Sequence, residues 1–134
     1  METIVWTDKI SVGVKTFDEE HKELIGFINR LNQALQIKSA QKTMEEILTG
    51  LINYTRIHFG HEEEAMIKHL YPDYANHKKE HDNLTAQVTD FHERLKSGKS
   101  LFSLELMDFL SSWLLNHIQK TDMNYKTFFT GKIQ

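Results

Sequence analysis

Six ionisable side chains interrupt helical stripes that are otherwise apolar: His21, His58 with Glu62, His77 with His81, and His117. Imidazole and carboxylate are the nitrogen and oxygen donors of metal sites, and burying several of them in a small core is unfavourable unless they satisfy one another or bind an ion. The spacing supports an ion. Residues four apart on an α-helix differ by about 40° in direction and about 6 Å in height, so His58 with Glu62, and His77 with His81, can each converge on one centre. A single helix cannot close such a site; four inward faces can. Mixed imidazole and carboxylate ligation suits iron.

Four stretches with a period between 3.5 and 3.6 residues supply those faces. The first runs from about Glu19 to Gln36, with His21, Leu24, Ile25, Ile28, Leu31 and Leu35 on one side. The second runs from about Met44 to Lys68, and the third carries Tyr74, His77, His81, Leu84, Val88, Phe91 and Leu95 at the alternating spacing of a heptad seam. The fourth starts at Phe102 or Ser103 and continues through Leu106, Phe109, Leu110 and Trp113 to His117. Thr43 with Glu46 fits a capping box, Pro72 suits the first turn of the third helix, and Gly98 stands where a left-handed cap is expected. Short connections favour antiparallel neighbours, so the expected fold is all-α: an up-down-up-down four-helix bundle. Residues 1–134 read as one domain, with an extended N-terminal arm over 1–18, the bundle over 19–120 and an aromatic tail over 121–134 that packs rather than frays.

Composition narrows the chemistry. The chain has 134 residues and no cysteine, which excludes disulfides, thiolate nucleophiles and cysteine-held clusters, so any metal must use nitrogen and oxygen ligands. A formal net charge of −3 offers no basic stripe for nucleic acid. With no apolar run long enough for a signal peptide core or a membrane span, a cytoplasmic, soluble protein is expected. Taken singly, a histidine on a helix face is most often solvated or hydrogen-bonded. His61, His69 and His92 keep that reading, and Glu63 and Glu64 read as solvated rather than bridging.

Several stretches, in order along nearly the whole chain, resemble the hemerythrins, and most of all the single-domain bacterial hemerythrins. They are Trp6 with Ser11-Val12-Gly13-Val14, Phe17-Asp18-Glu19-Glu20-His21-Lys22, His58-Phe59-Gly60-His61-Glu62-Glu63, His77-Lys78-Lys79-Glu80-His81, and Trp113-Leu114-Leu115-Asn116-His117-Ile118 running to Asp122. The resemblance adds Asp122 to the ligand set and implies two iron ions with an oxo or hydroxo bridge. His77, His81 and His117 would hold the saturated iron, His21 and His58 the open one, with Glu62 and Asp122 bridging. On a regular helix Asp122 would point about 140° away from His117, so a π-like widening or a helix end between Ile118 and Asp122 is expected.

Counting donors then gives one six-coordinate and one five-coordinate metal, leaving a single vacancy. The implied function is reversible dioxygen binding, as an oxygen carrier, store or sensor acting as a monomer, with delivery to an unidentified enzyme open. The alternative is a di-iron enzyme on the same scaffold, a peroxidase, oxidase or nitric oxide reductase, in which His61 could take part. Neutral imidazoles outnumber carboxylates here, whereas ferritin-like sites carry about four carboxylates. That lower negative charge favours binding over oxidation, and Leu114 with Trp113 is expected to form an apolar cover.

Overall fold

The computed structural model describes residues 3–98 and 104–132. Its α-helices are α1 (Lys15–Gln36), α2 (Gln41–Lys68), α3 (Tyr74–Lys96), α4 (Leu104–Asn116) and α5 (Met123–Phe129), with a 3-10 turn over Asp8–Ile10 in the otherwise extended arm and a six-residue π-helical turn, His117–Asp122, joining α4 to α5. The bundle is the expected antiparallel one: α1 packs on α2 and α4, and α2 packs on α3. The start expected for the fourth helix, Phe102 or Ser103, lies outside the described residues. No helix among the described residues is long and apolar enough to cross a membrane.

Three boundaries differ from the sequence reading, each for a local reason. The arm ends earlier than residue 18, because α1 begins at Lys15. Phe17 lies on the stripe that continues through His21 and Leu24, and Asp18 turns back to accept hydrogen bonds from the Ser11 hydroxyl at 2.6 Å and the Val12 amide at 2.8 Å. The expected capping box does not form: α2 starts at Gln41 after Ala40, which places Thr43 inside the helix. Pro72 precedes α3 rather than opening it. The Tyr74 amide donates to the Tyr71 carbonyl at 3.2 Å, so Pro72 occupies the second position of a tight turn, where its fixed φ fits. Gly98 takes the expected left-handed conformation, at φ +75°.

The apolar interior is divided into two layers. The larger contains Leu24, Ile28, Leu48, Leu51, Leu84 and Leu110 among others and fills the bundle toward the α1–α2 connection. The smaller is made by Val12, Val14, Phe17, Met66, Tyr71, Tyr125 and Phe129, so the N-terminal segment and α5 together close the opposite end. The seven polar candidates lie between these layers, each at most 2 % exposed. Water is thereby kept from both sides of the polar band, which is what gives its electrostatics their strength.

Candidate metal centre

Each inward position follows from helix register. His21 comes from α1, His58 and Glu62 from successive turns of α2, and His77 and His81 from successive turns of α3. His117 opens the π-helical turn and Asp122 ends it. The wider turn absorbs the extra residue that would have carried Asp122 to the outer face, so the widening expected from the five-residue spacing is present.

The two carboxylates divide their oxygens between two groups of histidines. Glu62 Oε2 lies 3.4 Å from His21 Nε2 and 3.2 Å from His58 Nε2, while Oε1 lies 3.4 Å from His77 Nε2 and 3.2 Å from His81 Nε2. Asp122 Oδ2 lies 3.0 Å from His21 Nε2, and Oδ1 lies 3.1 Å from His77 Nε2 and 2.9 Å from His117 Nε2. Two overlapping donor clusters result. One is Glu62, His77, His81, His117 and Asp122; the other is His21, His58, Glu62 and Asp122; within each, the donor atoms all lie within 4.8 Å of one another.

The hydrogen bonding of these atoms fits a cation better than a closed polar network. His21 Nδ1 and Nε2, His58 Nε2 and both Asp122 oxygens are buried without a hydrogen-bond partner of acceptable angle, although some close contacts are near 3 Å. Short distances at poor angles are what lone pairs produce when they aim at a common point rather than at each other. His81 Nδ1 and His117 Nδ1 donate outward to Glu63 at 2.9 Å and Glu80 at 2.7 Å. Their Nε2 atoms then face each other at 3.1 Å, an arrangement that needs a proton or a metal ion between them.

Without metal, protons take that part. Burial opposes the charged imidazole, yet Glu62 and Glu20 outweigh it at His58, whose pKa rises to about 10. Burial is likewise outweighed by Asp122 at His117, which rises to about 10, and by Asp122 and Glu62 at His77, which rises to about 9. Burial also works against the charged carboxylates, and at Asp122 the nearby Glu62 adds to it. The histidines nonetheless hold both Glu62 and Asp122 well below the usual range.

The signs define a pH test. Stability from the raised histidines is fully present below their ordinary value of 6.5 and is lost as pH rises through about 9 to 10. Stability from the lowered carboxylates is present above their ordinary values near 4 and is lost in acid. The metal-free protein is therefore expected to show its highest Tm between about pH 4.5 and 6.5. A metal ion displaces the protons, so the Tm gain on adding zinc(II) is expected to grow with pH, and metal to leave by pH 4. A metal-induced gain independent of pH, measured by thermal melts from pH 4 to 9, would contradict this assignment.

Aromatic rings wall the site. Phe59 stacks on His81 with centroids 3.6 Å apart, and Trp113 stacks on His117 at 4.6 Å. The Tyr125 hydroxyl donates to Glu62 Oε2 at 2.5 Å. Phe59, Glu20, Glu63 and Glu80 are contributions that the sequence reading did not assign to the site. The last three each stand beside a candidate ligand in sequence, the one signal that could have found them. Of the residues set aside there, His61 bonds to Glu20 and His92 approaches Thr49 at 2.7 Å, so neither joins the two clusters.

Residues 12–129 match the family described as the Hemerythrin HHE cation binding domain. The chain belongs to the hemerythrin family. Among hemerythrin relatives, the bacteriohemerythrin of Stenotrophomonas maltophilia (strain R551-3) is 34% identical over 125 residues, covering 93% of this chain and 80% of that protein. The myohemerythrin of Theromyzon tessulatum is also 34% identical over 125 residues, covering 93% and 92%. A wild-type hemerythrin crystal structure superposes with a TM-score of 0.88 at 30% identity, covering 94% of this chain and 97% of its own.

Proposed function

We propose that this hemerythrin binds dioxygen reversibly, as a carrier, store or sensor, at two iron ions sharing an oxo or hydroxo bridge. His77, His81 and His117 would hold one ion and His21 and His58 the other, with Glu62 and Asp122 bridging. The observation that carries this reading is the division of each carboxylate's oxygens between the two histidine groups. Such a pair of ferrous ions supplies the two electrons and the one open position that dioxygen needs.

The chain's own part is to orient the donors and exclude water. With five neutral imidazoles against two carboxylates, the ligand set carries little negative charge and so disfavours highly oxidised metal. An apolar cavity of about 30 Å³ borders the site, lined by Leu24, Leu51, Phe59, Leu84, Trp113 and Leu114 among others. Leu24, Leu84 and Leu114 each lie one turn in sequence from a candidate histidine, and Phe59, which also lines the cavity, stacks on His81, so the cavity lies beside the candidate ligands. Its size admits a diatomic gas, and its lining is mainly apolar, with Thr55, Arg56 and Thr85 as polar members. Leu114 and Trp113 thus fit the role of an apolar cover.

The test is to reduce the iron-loaded protein under argon and follow its absorption through cycles of dioxygen and argon. A colour that appears with dioxygen and bleaches on its removal is expected. Irreversible oxidation with stoichiometric peroxide release would sink the reading. Turnover of peroxide or nitric oxide that disappears in a His61→Ala variant would favour the enzymatic alternative.

A further inference from the structure

The glutamates beside the candidate ligands form a pattern that neither the family match nor the donor clusters describe. Glu20 precedes His21 on α1, and its Oε1 accepts a hydrogen bond from His58 Nδ1 on α2 at 2.8 Å. Glu63 follows Glu62 on α2, and its Oε2 accepts from His81 Nδ1 on α3 at 2.9 Å. Glu80 precedes His81 on α3, and its Oε1 accepts from His117 Nδ1, at the start of the π-helical turn, at 2.7 Å. Helices α1, α2 and α3 thus each supply a ligand of their own and a carboxylate for a histidine of the next element in the chain.

Every one of these carboxylates is also anchored, and the anchor comes from the element that carries the histidine it holds. Glu20 is bound through its second oxygen by the half-exposed His61, one turn from His58. Glu63 meets Lys78, one turn from His81, at 3.5 Å. Glu80 accepts from the Thr121 hydroxyl, one turn from His117, at 2.9 and 3.0 Å. The carboxylate is gripped from two sides by one helix while standing on another, so it fixes ring orientation and the spacing of the helices together.

The relay runs from α1 to α2 to α3 to the π-helical turn and does not close. A fourth carboxylate on α4 or the π-helical turn would be needed to hold His21, yet His21 Nδ1 is buried and has no hydrogen-bond partner among the described residues. Both histidines of the other half for which this tether is seen, His81 and His117, sit beside aromatic rings as well.

We infer that Glu20, Glu63 and Glu80 are positioning residues that fix the Nδ1–H tautomer of His58, His81 and His117, and that the two-histidine half, held through one such tether where the three-histidine half has two, is the one that releases its metal first. This rests on the proposed ligand assignment for its metal readout, though not for its spectroscopic one. Partners of this kind typically change metal affinity by about 10- to 100-fold.

The test uses the full chain labelled with 15N-histidine. In the metal-free protein, Glu20→Gln, Glu63→Gln and Glu80→Gln are each expected to move the Nδ1 proton signal of one candidate ligand only, His58, His81 and His117 respectively, with Glu20→Gln also moving that of its anchor His61. Glu63→Ala and Glu80→Ala, whose side chains reach the surface, are expected to weaken zinc(II) binding by about 10- to 100-fold at unchanged helical circular dichroism. The Gln variants, which keep an acceptor oxygen, are expected to lose less. Under a rising concentration of chelator the wild type should return His21 and His58 to their metal-free signals before His77, His81 and His117. Unchanged imidazole signals and zinc(II) affinity in the variants, or release from the three-histidine half first, would overturn the inference. Failure of the wild type to bind two iron ions would instead overturn the function while leaving the one-to-one signal shifts standing.

Discussion

Replacing Glu62 with glutamine is expected to reduce metal content from two ions per chain to at most one and to remove most of the metal-dependent gain in Tm. Among the described residues no other side chain is asked to serve so many partners: its two oxygens lie within 3.4 Å of four candidate histidines and it accepts from Tyr125. The amide keeps the volume but loses the negative charge and one of the two acceptor oxygens, so neither half retains its full donor set. At a free metal concentration about 100 times Kd, each bound ion adds about 2.7 kcal/mol to stability. For a chain of this size that is on the order of 10 °C in Tm per ion. Elemental analysis combined with thermal melts checks this. Two tightly held ions in Glu62→Gln would mean that the carboxylate does not bridge.

The second large effect is expected at Leu114. It is 6 % exposed, lines the apolar cavity and lies one turn before His117. Leu114→Ala removes buried methyl groups and leaves a space, at a cost of about 2–5 kcal/mol. It also opens the cover, so the oxygen-dependent colour is expected to decay irreversibly at least about tenfold faster, a barrier change of about 1.4 kcal/mol. The two effects can be separated. Leu106, equally buried on α4 but two turns farther from His117, gives a control in which Leu106→Ala loses stability without faster decay. Equal decay in both variants would show that packing in general, and not the cover, protects the site.

The bundle and six of the seven candidate ligands were legible for one reason. A histidine or glutamate at a heptad position, where its neighbours are Leu24, Leu84 or Leu110, contradicts the stripe it sits in, and the contradiction survives without any knowledge of the fold. Asp122 carried no such mark. Its inward position depends on the π-helical turn, which period analysis treats as an error of one residue. The start of α1 was misplaced because the β-branched residues before Phe17 hid a stripe that already included it.

Glu20, Glu63 and Glu80 were missed for a different reason, their place beside a candidate ligand being the one mark they carried. Each looks like an ordinary glutamate on the flank of a helix, and only the lateral approach of the next helix reveals that it meets an imidazole. Phe59 was missed likewise: it lies beside His58 rather than on its line, and its importance comes from stacking on a ring of α3. Patterns along one helix report what faces the core. They do not report which neighbouring helix a flank will touch.

The central claim is that seven buried side chains hold a pair of iron ions, and the most direct measurement is the iron content of the purified chain after anaerobic loading with ferrous ion and removal of excess metal. Two ions per chain, falling in Glu62→Gln, is the predicted result. One ion or none in a folded wild-type protein would contradict it.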